Sequence, residues 1–408
     1  MSDPEPEVFA SGARAVFDPV PGARTAAVAV VLDAGSRNER AEEAGAAHLM
    51  EHAAFRGAAG RSAREIDETI EDLGGSLNAS TTHQHTAFYA RVRADDVPVA
   101  VEILSDIVRE PHLDERDVAT EREIVLQEID EALETGEDVC LDRLQEAAFG
   151  STPLARSVLG TRDAVASHTA ERLRAFIARA YAAEACVLAV SGGFDADAAR
   201  RAAERGFGAW PHARAAAPVE PASFVGGERD FALGERQGHL ALAFPGPAAT
   251  DALRPAARVL SELLGGGVSS RLNRKIREEA GLAYTVYSFY DPYADTGALG
   301  AYAAGDPDDL DDIEAIMRAE LADLAAGPGG AELRRARAQL VAGALMSRES
   351  LASRAEAAAN DVLTFGRPLG ETEIEQRVAA VTDAEIAEVA RAALAGPAAR
   401  SVVAPRST

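Results

Sequence analysis

The sequence predicts an α+β protein built from two duplicated domains, and two observations support this class. Apolar strand segments alternate with helical ones: residues 25–35 are valine-rich and bounded by glycines, whereas residues 114–134 have the pattern of a long acidic helix. The order of elements in the first half then recurs in the second half after on the order of 200 residues, which indicates duplicated domains rather than a solenoid of short repeats.

The first half begins with a buried strand at 25–35, followed by a loop and a helix that starts near Ala44. A second helix starts at Ser62, where Ser62 and Glu65 form a capping box, and it ends at the glycine pair 74–75. The remaining elements of this half are two strands within 76–94, a helix within 95–111, the acidic helix at 114–134 and a last strand at 185–193.

Residues 210–230 are rich in proline and alanine and have no periodicity, so we predict a linker there. The predicted domains are therefore residues 1–215 and 216–408. The second domain repeats the plan, with a buried strand at 238–249 and a hairpin at 281–305. It lacks the histidine motif that the first domain carries, so only the first domain is expected to bind a metal.

Composition excludes several classes of function. The formal net charge of −25 argues against nucleic acid, whose phosphates an acidic surface repels, and favours solubility. The N-terminal segment is acidic and broken by prolines, so we expect no secretory signal there, and no stretch of the sequence has the length and apolar character expected of a membrane span. Cys140 and Cys186 are too few for a disulfide framework, which suits a reducing compartment. We expect a cytoplasmic protein without a membrane or nucleic-acid partner.

The five residues HLMEH at positions 48–52 carry the strongest chemical signal. On a helix, His48 and His52 lie on one face, a turn apart, and can offer two imidazole nitrogens to one ion. Glu51 projects beside them, as in the H-x-x-E-H pattern of inverted zincins, where a carboxylate takes a proton from water bound to zinc. The alternative is an ordinary helix face with a satisfied core histidine. A catalytic zinc would also need a third protein ligand.

The acidic helix offers candidates for that ligand. Glu121 and Glu128 lie seven residues apart, two turns along one face, with the apolar Ile124 and Val125 between them. Burying a carboxylate among apolar residues costs free energy unless a positive group or a metal ion pairs with it. One glutamate as a metal ligand and the other as a residue that orients a ligand would supply such partners. The alternative is a solvated face, because other acidic residues crowd this helix. The local pattern does not separate the two.

Together these segments resemble the pitrilysin/insulinase (M16) family of zinc metallopeptidases, in the half-size branch that includes mitochondrial processing peptidase. The family carries H-x-x-E-H, a glutamate ligand about 76 residues later and an acidic residue seven positions before that ligand; here His52 and Glu128 are 76 residues apart, and Glu121 takes the third position. The resemblance implies one zinc per chain, held by His48, His52 and Glu128, with Glu51 as general base and Glu121 as orienting residue.

A second family signature, an arginine and a tyrosine seven residues apart, falls on Arg277 and Tyr284. By themselves these would be a solvated helix residue and a core strand aromatic. The resemblance implies that both contact substrate and assist catalysis, and that Asn78 and Ala79 bind the peptide beside the scissile bond as it pairs with the strand at 76–80.

The resemblance also implies the architecture. Each domain would be a mixed β-sheet covered by helices on one face, and two halves would close like a clamshell around a chamber for short, unfolded peptides. Because this chain carries both signatures, we expect a homodimer whose sites are shared between chains.

Three alternatives remain at this point: a non-catalytic scaffold or regulatory subunit of the same fold, a subunit active only with a non-identical partner, and a zinc hydrolase of small amides. The last gives Arg277 and Tyr284 no role. His83 and His85 depart from the family pattern, and we interpret them as surface histidines of an exposed strand or as residues that shape specificity.

Overall fold

The computed structural model of the chain describes residues 4–210, 218–234 and 236–405. The strands are β1 (Glu7–Val8), β2 (Arg14–Pro19), β3 (Thr25–Leu32), β4 (Gly57–Ala58), β5 (Arg61–Ser62), β6 (Ser76–Thr81), β7 (Thr86–Arg93), β8 (Cys186–Gly192), β9 (Gly227–Leu233), β10 (Gly238–Pro245), β11 (Ala283–Pro292), β12 (Gly297–Gly305) and β13 (Ala399–Pro405).

The α-helices are α1 (Ala46–Ala54), α2 (Ala63–Asp72), α3 (Val97–Arg109), α4 (Glu115–Glu134), α5 (Gly136–Phe149), α6 (Arg162–Ala166), α7 (Ala170–Ala180), α8 (Ala196–Phe207), α9 (Arg254–Ser261), α10 (Leu310–Leu324), α11 (Gly330–Glu349), α12 (Leu351–Phe365), α13 (Glu371–Ala380) and α14 (Asp383–Ala395). Two π-helical segments cover Glu262–Gly266 and Asn273–Glu279. Within the described ranges, no helix has the length and apolar character needed to cross a membrane.

The chain forms two compact units that are not contiguous in sequence. The second unit takes residues 130–156 from the first half, and the first unit takes residues 346–370 from the second half. The main division between the units lies near residue 219. The predicted boundary between 215 and 216 lies outside the described residues, and the exchange of the two segments was not predicted.

The first unit is built on a six-stranded mixed sheet in the order β1-β2-β8-β3-β7-β6, in which β2 and β8 are parallel. Side chains alternate along β3, so Val28 and Val30 join the large core on one face, whereas Ala29 and Val31 pack with residues of α12 on the other. Burial on both faces explains why the sequence of β3 is almost continuously apolar. Strand β6 lies at the edge of this sheet.

The second unit repeats this plan with a five-stranded sheet in the order β11-β12-β10-β13-β9. Leu240 and Leu242 of β10 face a core shared with α9, α10 and α14, whereas Ala241 and Ala243 face α5. The prediction of two duplicated α+β domains is confirmed. In each unit, the second face of the sheet is covered by a helix from the other half of the chain, α12 in the first unit and α5 in the second. The prediction had helices on one face only.

The capping box at the start of α2 is confirmed in detail. The Ser62 hydroxyl accepts a hydrogen bond from the Glu65 backbone N–H at 3.3 Å, and the Glu65 carboxylate accepts one from the Ser62 backbone N–H at 2.8 Å. We expect Ser62→Ala to lower the free energy of unfolding by about 1 kcal/mol, whereas Ser62→Thr, which keeps the hydroxyl as acceptor and donor, should lose little. Denaturant unfolding measures both variants, and equal stability of all three proteins would contradict the prediction.

Candidate metal centre

Helix α1 presents the histidine motif because its other side is apolar. Leu49, Met50 and Ala53 are buried in the core of the first unit. With 3.6 residues per turn, the two histidines and the glutamate of the motif then lie together on the remaining side, where they are half-buried.

The structure brings His48, His52 and Glu128 together. The imidazole rings have centroids 4.8 Å apart, and Nε2 of His48 and Nε2 of His52 lie 3.7 and 3.6 Å from the same Glu128 oxygen, Oε2. Ligands placed about 2.0–2.2 Å from a tetrahedral zinc ion stand about 3.3–3.6 Å apart. All three ligand atoms lie within 4.8 Å of one another. Two histidines and one glutamate are also a known ligand set of catalytic zinc sites, so the residue types and the two separations from Glu128 suit a zinc ion.

Burial, together with the neighbouring His52, lowers the pKa of His48 to about 4. The imidazole of His48 is therefore neutral near pH 7 and has a lone pair available for a metal ion. A neutral imidazole is the form that zinc binds.

Glu121 contacts a histidine of the cluster and does not belong to the cluster itself. It lies two turns before Glu128 on α4 and is only 3% exposed. Its Oε2 is 3.3 Å from Nδ1 of His52, while its Oε1 accepts hydrogen bonds from the Arg56 guanidinium. Arg56 thus compensates the buried charge, and Glu121 lies where a carboxylate can orient the His52 ring. Glu123 is exposed and belongs to the solvated face of α4, whereas Glu121 is buried and does not.

We expect Glu121→Gln to weaken zinc binding by about 10–100-fold, because the neutral amide interacts less strongly with His52 and leaves Arg56 without a charged partner. Competition with a zinc chelator measures the affinity. Glu123→Gln removes an exposed carboxylate from the same helix and serves as the control. Equal zinc affinities for the two variants would rule out an orienting role for Glu121.

Glu51 faces the same space from α1 and is held by the neighbouring strand. The Thr81 hydroxyl, at the end of β6, donates a hydrogen bond of 2.5 Å to Oε2 of Glu51. Burial raises the pKa of Glu51, and the hydrogen bond from Thr81 opposes this shift in part. A carboxylate with a raised pKa is a better proton acceptor, as a general base requires.

Asn78 and Ala79 lie on β6, whose outer edge has no partner strand in the described part of the chain. Asn78 pairs with Tyr89 and Ala79 with Phe88 on the inner side only. Two residues further along, Thr81 reaches Glu51. The edge strand that carries Asn78 and Ala79 therefore ends beside the candidate catalytic carboxylate.

The interpretation of His83 and His85 as residues of an exposed strand is wrong. Both lie in the connection between β6 and β7 and are half-buried. The connection folds against the loop after β3: the Arg37 backbone N–H donates to the His83 carbonyl at 2.9 Å, and Nδ1 of His85 lies 3.5 Å from Oδ1 of Asp33. Burial lowers the pKa of His85.

Arg277 and Tyr284 also lie together, in the second unit. The Arg277 guanidinium carbon is 4.7 Å from the centroid of the Tyr284 ring. Tyr284 is 77% exposed, so it is not a core aromatic. It sits at an irregularity of the edge strand β11, between Ala283 and Thr285, where a bulge turns its side chain outward. Arg277 is exposed on the π-helical segment Asn273–Glu279.

Sequence reasoning missed Thr81 and Arg56. Arg56 lies two residues after the end of α1, outside the helical pattern, so its contact with Glu121 has no signal in the local sequence. Thr81 is thirty residues from Glu51, and only the pairing of β6 in the sheet places it there.

The chain is similar to several known proteins. Two family models match, "Insulinase (Peptidase family M16)" over residues 14–162 and "Peptidase M16 inactive domain" over residues 167–340. An uncharacterized zinc protease of Streptomyces coelicolor is 34% identical over 407 residues, 97% of this chain and 88% of that protein. One of Mycobacterium leprae is 38% identical over 282 residues, 68% of this chain and 63% of that protein, so the match spans less than two thirds of that relative.

Two solved structures share the whole fold. A protease from Helicobacter pylori matches with a TM-score of 0.90 at 20% identity, covering 99% of this chain and all of that one. A Pseudomonas fluorescens protein described as a peptidase M16 inactive domain matches with a TM-score of 0.91 at 21% identity, covering all of this chain and 99% of that one.

The two family models and the similarity to the Streptomyces protein over 97% of this chain establish that the chain belongs to the M16 peptidase family, as a half-size member.

Proposed function

We propose that this protein is a zinc-dependent endopeptidase that hydrolyses short, unfolded peptides in the cytoplasm, inside the closed chamber of a homodimer. The observation that carries the proposal is the cluster of His48, His52 and Glu128, whose ligand atoms all lie within 4.8 Å of one another beside Glu51. These three residues would hold one zinc ion per chain. Zinc in such a site lowers the pKa of bound water and polarises a carbonyl group.

Proton transfer and the positioning of the catalytic groups are assigned to three protein side chains. Glu51 accepts the proton of the attacking water and then delivers it to the leaving amine. Thr81 holds the Glu51 carboxylate through their hydrogen bond of 2.5 Å. Glu121 keeps the His52 ring in place from its buried position beside Arg56.

The open edge of β6 supports an extended peptide as substrate. A peptide that adds to this edge gains main-chain hydrogen bonds from the strand, which give affinity without strict sequence preference. Asn78 and Ala79 would contact it near the scissile bond, because their strand ends beside Glu51. A folded protein offers no free extended segment to pair with the edge, so we expect poor cleavage of folded proteins.

Arg277 and Tyr284 are proposed to act on the zinc site of the other chain. The exposure of Tyr284 supports this role, because its hydroxyl is not used in the core of its own unit. A phenolic O–H can donate to the oxyanion that develops when water attacks the peptide carbonyl, and the Arg277 guanidinium can hold substrate carbonyls.

The shared site predicts recovery of activity from two inactive proteins. Glu51→Gln and Tyr284→Phe are mixed under conditions where subunits exchange. Each mixed dimer then has one site with both lesions and one intact site, so activity should reach about a quarter of wild type if exchange is random. Peptide hydrolysis measures the recovery, and each variant kept unmixed is the control. No recovery despite proven exchange would mean that each chain completes its own site, whereas activity of unmixed Tyr284→Phe would mean that Tyr284 has no catalytic part.

The activity itself is tested with the purified chain alone. Chelation should abolish cleavage of a diverse peptide library, read by mass spectrometry, and added zinc should restore it. A protein that binds zinc but cleaves nothing would support a non-catalytic subunit or a need for a non-identical partner. Presence of the full set of candidate ligands in one cluster makes the scaffold the less favoured alternative.

A further inference from the structure

A buried carboxylate stands at the start of the helix that carries the histidine motif. Helix α1 begins after Gly45, which has a φ of 87° and no side chain with which to cap the helix. The side chain of Glu39, which is only 4% exposed, caps the helix instead. The Gly45 N–H donates to its Oε2 at 3.1 Å, and the Ala47 N–H donates to its Oε1 at 2.8 Å. The first turn of a helix leaves such N–H groups without helical partners and favours negative charge.

The loop that ends at Glu39 also holds the end of the proposed substrate strand. The Ser36 backbone N–H donates to the Thr82 carbonyl at 3.1 Å, and the Arg37 backbone N–H donates to the His83 carbonyl at 2.9 Å. Thr82 directly follows the last residue of β6. Residues 36–39 therefore connect the first turn of α1 to the hairpin that begins with β6.

We infer that Glu39 is a positioning residue of the metal centre, which holds the first turn of α1 and so sets where His48 meets the other two ligands. His48 follows Ala47 directly, so a shift of the Ala47 N–H moves a candidate ligand. A metal site tolerates displacements of only about 0.5 Å before its geometry suffers. This inference rests on the proposed function, because it assumes that His48 binds zinc.

Glu39→Gln tests the inference, because both carboxylate oxygens accept backbone N–H groups and an amide offers only one acceptor. The NH₂ group of glutamine would face a backbone N–H, so one bond is lost. We expect the zinc dissociation constant, measured by chelator competition, to rise about tenfold or more. Ser62→Ala is the matched control, since it removes the cap of α2, a helix without metal ligands, and should leave zinc affinity unchanged.

A second variant covers the case in which Glu39→Gln does not fold. Glu39→Asp keeps the charge and both acceptors on a side chain shorter by one methylene, so it should fold and should weaken zinc binding by less than the roughly tenfold expected of Glu39→Gln. Wild-type zinc affinity in a folded Glu39 variant, or an equal loss in Ser62→Ala, overturns the positioning role alone. A wild-type protein that binds no zinc overturns the proposed function, and this inference with it.

Discussion

Glu51→Gln is expected to lower kcat for peptide hydrolysis by about 10²–10⁴-fold while zinc stays bound. The amide has nearly the size of the carboxylate and can still accept the hydrogen bond from Thr81, so the local structure should persist. It cannot accept a proton from water, so the step that Glu51 is proposed to catalyse loses its base. Steady-state kinetics on a peptide gives kcat, and elemental analysis of the same sample gives the zinc content.

The control for this variant is Glu71→Gln, which removes an exposed carboxylate from the neighbouring helix α2 and should change neither quantity. Appreciable turnover by a zinc-loaded Glu51→Gln protein would remove Glu51 from its role as general base. Loss of zinc from this variant would instead indicate that Glu51 helps to hold the metal.

The second large effect is expected at the ligands themselves. His48→Ala and Glu128→Gln should each reduce the zinc content of the dialysed protein from one per chain to a small fraction, and activity should disappear with it. His48 and His52 both approach the same Glu128 oxygen, so the three side chains act as one ligand set. Each change leaves only two protein ligands, one fewer than a catalytic zinc ion usually has.

Glu131→Gln is the matched control, because Glu131 lies three residues after Glu128 on α4 and is exposed. It should retain full zinc content and activity. Full zinc content in Glu128→Gln would exclude Glu128 from the ligand set and leave the third ligand to be found elsewhere.

Individual helices and strands could be predicted from the sequence, but the exchange of residues 130–156 and 346–370 between the two units could not. The capping box of Ser62 and Glu65 involves residues three apart, so it can be identified from the sequence alone. The apolar run of β3 indicated a buried strand, and the structure shows burial on both faces. The helix that covers the second face, α12, starts more than 300 residues after β3 begins. Its small apolar side chains would suit either sheet, so no local pattern could assign it.

The candidate site follows the same division between local and distant contacts. His48, Glu51 and His52 share one helix and could be recognised from their spacing. Glu128 could not be separated from a solvated acidic face by its own helix, and the family resemblance selected it. The contact from Thr81 depends on the pairing of β6, and the role of Glu39 depends on a loop folded against α1. Neither has a sequence signal of its own.

One zinc ion per chain is expected between α1 and α4, where anomalous X-ray diffraction at the zinc absorption edge can locate it. Crystals of the wild-type protein grown with zinc should show one strong anomalous peak per chain, about 2.0–2.2 Å from ring nitrogens of His48 and His52 and from a carboxylate oxygen of Glu128. No peak between these three residues, or a peak only at other side chains, would mean that His48, His52 and Glu128 do not form a zinc site.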